Sequence, residues 1–253
     1  SWTKISGYKR KFNKLLFKKV DRVTSVGQQS LQDLVKTYEY PVAKTKMIRR
    51  GVPAFVFDKN TSRKKLADEF GFAVTDKILM HVGQFSPEKN HPFLINCFKN
   101  ILKQEPAAKL IFVGEGKGFQ EIKTLISTQQ LEQQIFLAGY RDNVQELMAG
   151  ADVFILGSTI EGLPGVIIEA AMQSVPAVAV NVGGVGEVVI NEKTGILIDT
   201  HDAAIFSNGV LQLIQNNQLK NKLGEQANIF VKENFSLQQC VENFELLYND
   251  MLQ

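Results

Sequence analysis

From residue 77 onward, short and almost wholly apolar runs alternate with longer stretches in which apolar positions recur every three or four residues. The short runs, at residues 77–82, 109–113, 135–137, 153–156, 177–180 and 195–198, are apolar at successive positions, so neither face of most of them faces water. That pattern predicts the strands of a parallel sheet covered on both sides. The stretches between them, at 92–104, 119–129, 143–149 and 166–173, predict helices, each a right-handed crossover between two strands. The last fifth of the chain has no strand: residues 203–215, 217–232 and 236–252 predict three helices in succession, with Ser236 as the N-cap of the last.

Before this region the pattern is thinner. Residues 21–26 and 46–48 read as strands on either side of a helix at 28–38. Gly51-Val52-Pro53 then interrupts the pattern, and a polar, Lys/Arg-rich approach leads to Leu66 and the next strand. An α/β protein is expected, with a boundary near Gly51. The first 50 residues are too few to form a comfortable domain alone.

Composition changes little in this picture: 44% hydrophobic and 22% charged residues describe an ordinary globular chain. No apolar run approaches the ~20 residues needed to span a bilayer, and residues 1–10 lack the features of a secretory signal. A cytoplasmic location is the expectation. Cys97 and Cys240 have no C-x-x-C spacing and read as reduced packing residues. The net charge of +3 conceals an asymmetry: residues 1–22 carry +7, and the rest of the chain −4. With Phe12, Leu15, Leu16, Phe17 and Val20 at partly helical spacing, this segment suits either an anionic membrane surface or a helix packed on another domain. The positive charge stops at residue 22 and is not interleaved with stacking aromatics, so nucleic acid is not expected as a partner.

Four loops combine glycine with polar side chains directly after a predicted strand, where open α/β sheets bind ligands. The first runs from Gly83 and Gln84 to Lys89, just before a helix start, and suits an anionic group such as a diphosphate; a solvated lysine beside a turn is the plainer reading. The second, Gly114-Glu115-Gly116-Lys117-Gly118, matches neither G-x-G-x-x-G nor the P-loop pattern. It reads as a strand-to-helix turn or as a backbone wall beside a ligand. The third places Glu161 in a loop with Gly162, Leu163 and Pro164, a helix start near Gly165 and Val166, and Glu169 one turn further on. Glu169 suits the hydroxyls of a ribose, or equally the favourable end of a helix dipole. The fourth, Gly183-Gly184-Val185-Gly186-Glu187, suits close packing beneath a ligand or a mobile connection. His81, His91 and His201 share no metal-ligand spacing, and His91 reads as a solvated histidine at a helix start.

These blocks, in this order, resemble the retaining glycosyltransferases of the GT-B fold, the large family that includes bacterial capsule and exopolysaccharide transferases. Glu161 through Glu169 looks like that family's E-x7-E signature, and the resemblance continues through Val175-Pro176 and the loop at 183–187. It implies a Rossmann-like donor-binding domain at residues 51–235, the tail of an acceptor-binding domain at 1–50, and a C-terminal helix at 236–253 packing back toward the N-terminal half. It implies a UDP- or GDP-sugar as donor, no metal, and a glycan or lipid-linked acceptor, with the enzyme cytoplasmic or peripheral at the inner face of the membrane. Glu169 would bind the ribose, Glu161 the donor sugar, and Lys89 the diphosphate. The backbone from Gly162 to Val166 would meet ribose and diphosphate. Gly139-Tyr140-Arg141-Asp142 would read the base through main-chain atoms.

Three departures qualify the resemblance. The family's arginine five residues before the lysine is Gln84 here, its asparagine before the hinge glycine is Arg50, and most of the N-terminal domain is expected to come from elsewhere in the same or another chain. A non-catalytic nucleotide-sugar sensor or subunit is therefore the competing expectation. A nicotinamide-dependent dehydrogenase lacks its fingerprint.

Overall fold

The computed structural model describes residues 7–252; Lys4, part of the basic N-terminal segment, lies outside them. Six parallel strands form the main sheet: β3 (Ile78–Val82), β4 (Lys109–Val113), β5 (Ile135–Gly139), β6 (Val153–Leu156), β7 (Ala177–Val180) and β8 (Gly195–Ile198), in the order β5-β4-β3-β6-β7-β8. This is the doubly wound Rossmann arrangement, and its order reverses between β3 and β6, where such sheets bind ligands. β5 runs two residues beyond the predicted end. A register shift after Phe112 pairs Val113 with Gly139, which takes φ 67°, a value that favours glycine.

Both faces of the sheet are buried, as the continuous apolar runs require. Leu79, Leu110, Phe112 and Ile155 point one way, onto Phe98 of α4 (His91–Leu102), Ile122 of α5 (Phe119–Thr128) and Phe206 of α8 (Ala203–Ile214). Met80, Ile111, Phe154 and Ala179 point the other way, onto Leu147 of α6 (Val144–Ala149), Ile168 of α7 (Gly165–Met172) and Ala227 of α9 (Asn217–Asn234). Each fully buried phenylalanine contributes about 1.5–3 kcal/mol by leaving water.

One helix was not expected. The polar approach to Leu66 is α3 (Lys59–Phe70), capped by Asp58, whose carboxylate accepts the Thr61 N–H at 2.8 Å. It buries Leu66 and Ala67 and sends Arg63 inward. There Arg63 Nη1 meets Asp152 Oδ2 at 2.9 Å, while Lys220 Nζ from α9 meets Oδ1 at 2.6 Å. The backbone N–H of Ile78 also donates to Asp152 at 2.9 Å. Burial opposes ionisation of Asp152, but Arg63 and Lys220 outweigh it and hold the carboxyl below its ordinary value. This buried junction fixes α3 and α9 to the starts of β3 and β6.

A smaller unit precedes the sheet. β1 (Val23–Ser25) and β2 (Thr45–Met47) pair in parallel beneath α2 (Gln28–Tyr38), and Phe17 of α1 (Gly7–Phe17) packs on Tyr38 and Tyr40. Tyr8, Phe12, Leu15 and Leu16 remain exposed on α1. The chain passes between the units twice, and the two passages are bonded to each other: Val52 N–H donates to the Phe235 carbonyl at 3.0 Å, and Val52 bridges Ser236. A Cβ on Gly51 would lie 2.5 Å from the Leu237 Cα, so only glycine permits this approach. Ser236 caps α10 (Leu237–Leu252), accepting the Gln239 N–H at 3.2 Å, and Asp250 near its end pairs with Arg22 at 3.2 Å.

Candidate functional site

The loops after β3 and β6 meet at the point where strand order reverses. Thr159 N–H donates to the Glu88 carbonyl at 2.8 Å, tying the two loops together. Across this tie Lys89 Nζ lies 2.6 Å from Glu161 Oε1, a charge-assisted contact between two largely buried side chains. Gly83 sits beneath the lysine stem, since a Cβ there would approach Lys89 Cδ and Cε at 3.4 Å.

Glu169 lies in α7, the helix that follows the Glu161 loop. Burial raises its carboxyl above the ordinary value, and Arg50 opposes that shift from 3.8 Å. Arg50 Nη1 also lies 2.6 Å from where a Cβ on Gly165 would stand, so its guanidinium fronts the first turn of α7. The first N–H groups of that helix have no intrahelical partners and add partial positive charge. Two cations, two carboxylates and a helix start thus belong to one end of the sheet's central strands: Lys89 follows β3, Glu161, Glu169 and the start of α7 follow β6, and Arg50 reaches them from before α3.

The glycines of the fourth loop serve close packing. Gly183, at φ 55°, crosses Glu161 so closely that a Cβ would lie 1.9 Å from its carbonyl oxygen, and Gly184 N–H donates to the Gly162 carbonyl at 2.9 Å. The 183–184 backbone therefore forms the floor under Glu161 and Gly162. The second loop is a backbone wall laid against the first: Cβ atoms on Gly114 and Gly116 would strike the Gly83 carbonyl at 2.1 Å and the Phe85 carbonyl at 2.7 Å.

Other expected residues take no part in the Lys89–Glu161 ion pair. Gln84 lies over Gly116 and lines a separate cavity of about 590 Å³ with Phe85, His91 and Lys117. Tyr140 is 69% exposed, and Arg141 is paired with Glu69. Leu163 packs against the core on the α7 side.

His91 is not solvated. It is 2% exposed, stacked on Phe85 at 4.2 Å and set edge-to-face against His81 at 4.9 Å. The solvated expectation fails because Phe85, six residues earlier in the preceding loop, and Phe112 of β4 close over the ring. His81 Nδ1 donates to the Ile155 carbonyl at 3.0 Å, leaving Nε2 a bare acceptor. Burial, with Lys89 nearby, holds His81 down at about 3 and His91 at about 4, so both rings are neutral behind the lysine.

Residues 62–230 match the family model described as "Glycosyl transferases group 1". The chain is 32% identical over 188 residues to N-acetyl-alpha-D-glucosaminyl L-malate synthase of Bacillus anthracis, covering 74% of this chain and 49% of that protein. It is 24% identical to the UDP-Gal:alpha-D-GlcNAc-diphosphoundecaprenol alpha-1,3-galactosyltransferase of Escherichia coli, over 96% of this chain and 66% of that one. The fold is shared with Anabaena HepE, solved in complex with UDP, at a TM-score of 0.89 and 22% identity over 98% of this chain and 70% of the other. The chain spans about half the length of the Bacillus relative. With the Rossmann order of the sheet and the family match running from α3 into α9, the chain belongs to the group 1 glycosyl transferases.

Proposed function

We propose that this chain is the donor-binding part of a retaining glycosyltransferase that takes a UDP- or GDP-sugar without a metal and serves a glycan or lipid-linked acceptor. The observation that carries the reading is the convergence of Lys89 with Glu161, and Arg50 with Glu169, at the switch point of the sheet. Glu169 accepts hydrogen bonds from the ribose hydroxyls. Lys89 exchanges its Glu161 partner for the donor diphosphate and stabilises the charge that grows on the leaving nucleoside diphosphate. Arg50 and the first turn of α7 supply the second positive charge, in place of the arginine that Gln84 replaces. Glu161, released from Lys89, orients the donor sugar. Retention is inferred from the likeness of Glu161 and Glu169 to the E-x7-E pattern.

We place the acceptor-binding half outside this chain, in the same polypeptide or another, with residues 51–235 as the donor domain. The basic face of α1 is proposed to meet an anionic membrane at the cytoplasmic surface. No helix among the described residues is long and apolar enough to cross it. A non-catalytic nucleotide-sugar subunit is the second reading, favoured by Gln84, an uncharged residue where the family's arginine is expected. Calorimetric titration with UDP, GDP and ADP, with and without magnesium, tests both readings. Metal-independent binding weakened by Glu169→Ala and Lys89→Ala supports the donor site, and binding unaffected by either substitution overturns it. Transfer after addition of a complete N-terminal half separates enzyme from sensor.

A further inference from the structure

Beside Glu169, three large apolar side chains in succession face solvent: Phe55 is 60%, Val56 68% and Phe57 37% exposed. Their backbone is not loose. Gln173, buried one turn beyond Glu169 in chain order, accepts the Phe57 N–H at 3.1 Å and donates to the Phe55 carbonyl at 2.6 Å. Both ends of a buried amide are thus committed to holding this segment, and the two bonds fix which end is oxygen and which is nitrogen. A clamp of this kind presents the two phenyl rings in a set position.

Phe55 and Phe57 line a cavity of about 360 Å³ together with Asp142, Asn143, Glu146 and Glu169. Three carboxylates and no lysine or arginine border it, so it disfavours phosphate. Its chemistry asks for a neutral flat ring joined to a group rich in O–H donors, with any phosphates leading away toward Arg50 and Lys89. The turn expected to read the base contributes Asp142, whereas Tyr140 and Arg141 are turned elsewhere.

We infer that Phe55 and Phe57 form the wall against which the nucleobase of the donor stacks, with Gln173 as the positioning residue that holds them. The inference rests on the donor-site reading, because Glu169 must take the ribose for the base to reach this wall. A nucleobase has a π-face whatever its identity, so the wall governs how tightly the nucleotide is held more than which base is chosen.

The test compares wild type, Phe55→Ala/Phe57→Ala and a Phe57→Trp reporter, titrated with UDP, GDP and inorganic pyrophosphate. The rings are exposed, so the double variant is expected to melt with the wild type in circular dichroism. The expected result is a loss of roughly fivefold or more in nucleotide affinity, pyrophosphate binding unchanged, and quenching of the added indole's emission in the Phe57→Trp variant by UDP but not by pyrophosphate. Undiminished nucleotide affinity in the double variant overturns the wall while leaving the donor site standing, provided Glu169→Ala still weakens binding. If the wild-type chain binds no nucleotide, the donor reading and the wall fail together.

Discussion

The carboxylate of Glu187 accepts the backbone N–H of Gln28 at 2.8 Å and also that of Gln29 at 3.1 Å, so a glycine-loop residue of the large unit caps a helix of the small one. The carboxylate meets the positive end of α2, and a Cβ on Gly27 would crowd it at 2.9 Å. The same loop lies beneath Glu161 and Gly162. Glu187→Ala is expected to cost about 1 kcal/mol, as loss of an N-cap does. Hydrogen exchange at the Gln28 and Gln29 amides should speed up before exchange in β3 or β6 does, and unchanged exchange there would show that the cap is idle.

If Lys89 takes the donor diphosphate as proposed, Glu161 competes with it for the lysine. Glu161→Gln is therefore expected to leave nucleoside diphosphate affinity equal or several-fold tighter while abolishing transfer in a reconstituted enzyme. Lys89→Met should weaken binding by roughly tenfold or more, the value of a lost hydrogen bond to a charged group. Calorimetry on the two variants gives the comparison, and parallel losses of affinity would contradict it.

The two buried histidines make stability depend on pH. Their folded values lie at about 3 and about 4, while the unfolded chain takes up the same protons near 6.5. The folded state is thus fully favoured above that unfolded value and loses ground as pH falls toward the folded ones, by about 1.4 kcal/mol per pH unit for each ring. Urea midpoints should hold between about pH 7.5 and pH 6.5 and fall between about pH 6.5 and pH 5, and His91→Gln should remove about half that slope. A flat profile would mean that the rings accept protons in place.

Asp152 stands at the centre of a buried triad with Arg63 and Lys220. Asp152→Ala strips the buried Lys220 ammonium of its partner and Arg63 of its counter-charge, although Arg63 keeps the Val74, Gly150 and Asp76 carbonyls, and about 3 kcal/mol of stability should be lost. Because the folded carboxyl lies below its unfolded value, the wild-type contribution is complete above that unfolded value and is lost as pH falls from there through the folded one. Equilibrium denaturation of the variant checks the loss, and a cost under about 1 kcal/mol would place the triad in contact with water.

The lysines of α1 and of the residue after it should bring the chain to vesicles containing phosphatidylserine and not to neutral ones. Replacing Lys9, Lys11, Lys14 and Lys18 with glutamine should release it, at about 1 kcal/mol for each charge near the surface. Sedimentation that ignores the substitutions would rule out a charge-driven contact.

The main sheet was readable because strands buried on both faces leave uninterrupted apolar runs, and the loops of the site were readable because glycine marks every close approach. α3 escaped because residues 60–65 are polar and its inward surface is carried by Leu66, Ala67 and the Arg63 head group. The Asp58 to Thr61 cap was its one local signal. The closing of Phe112 over His91, the partner of Glu187 and the clamp by Gln173 rest on contacts between residues distant in the chain, which spacing along the sequence does not encode.

The bonded passages at Val52 and Phe235 join both threads of the chain at one place, and the Glu187 carboxylate ties the small unit to the large one at a second. Two separate ties set the orientation of the small unit where a single one would leave it free to turn, and the second of them shares its loop with the floor beneath Glu161.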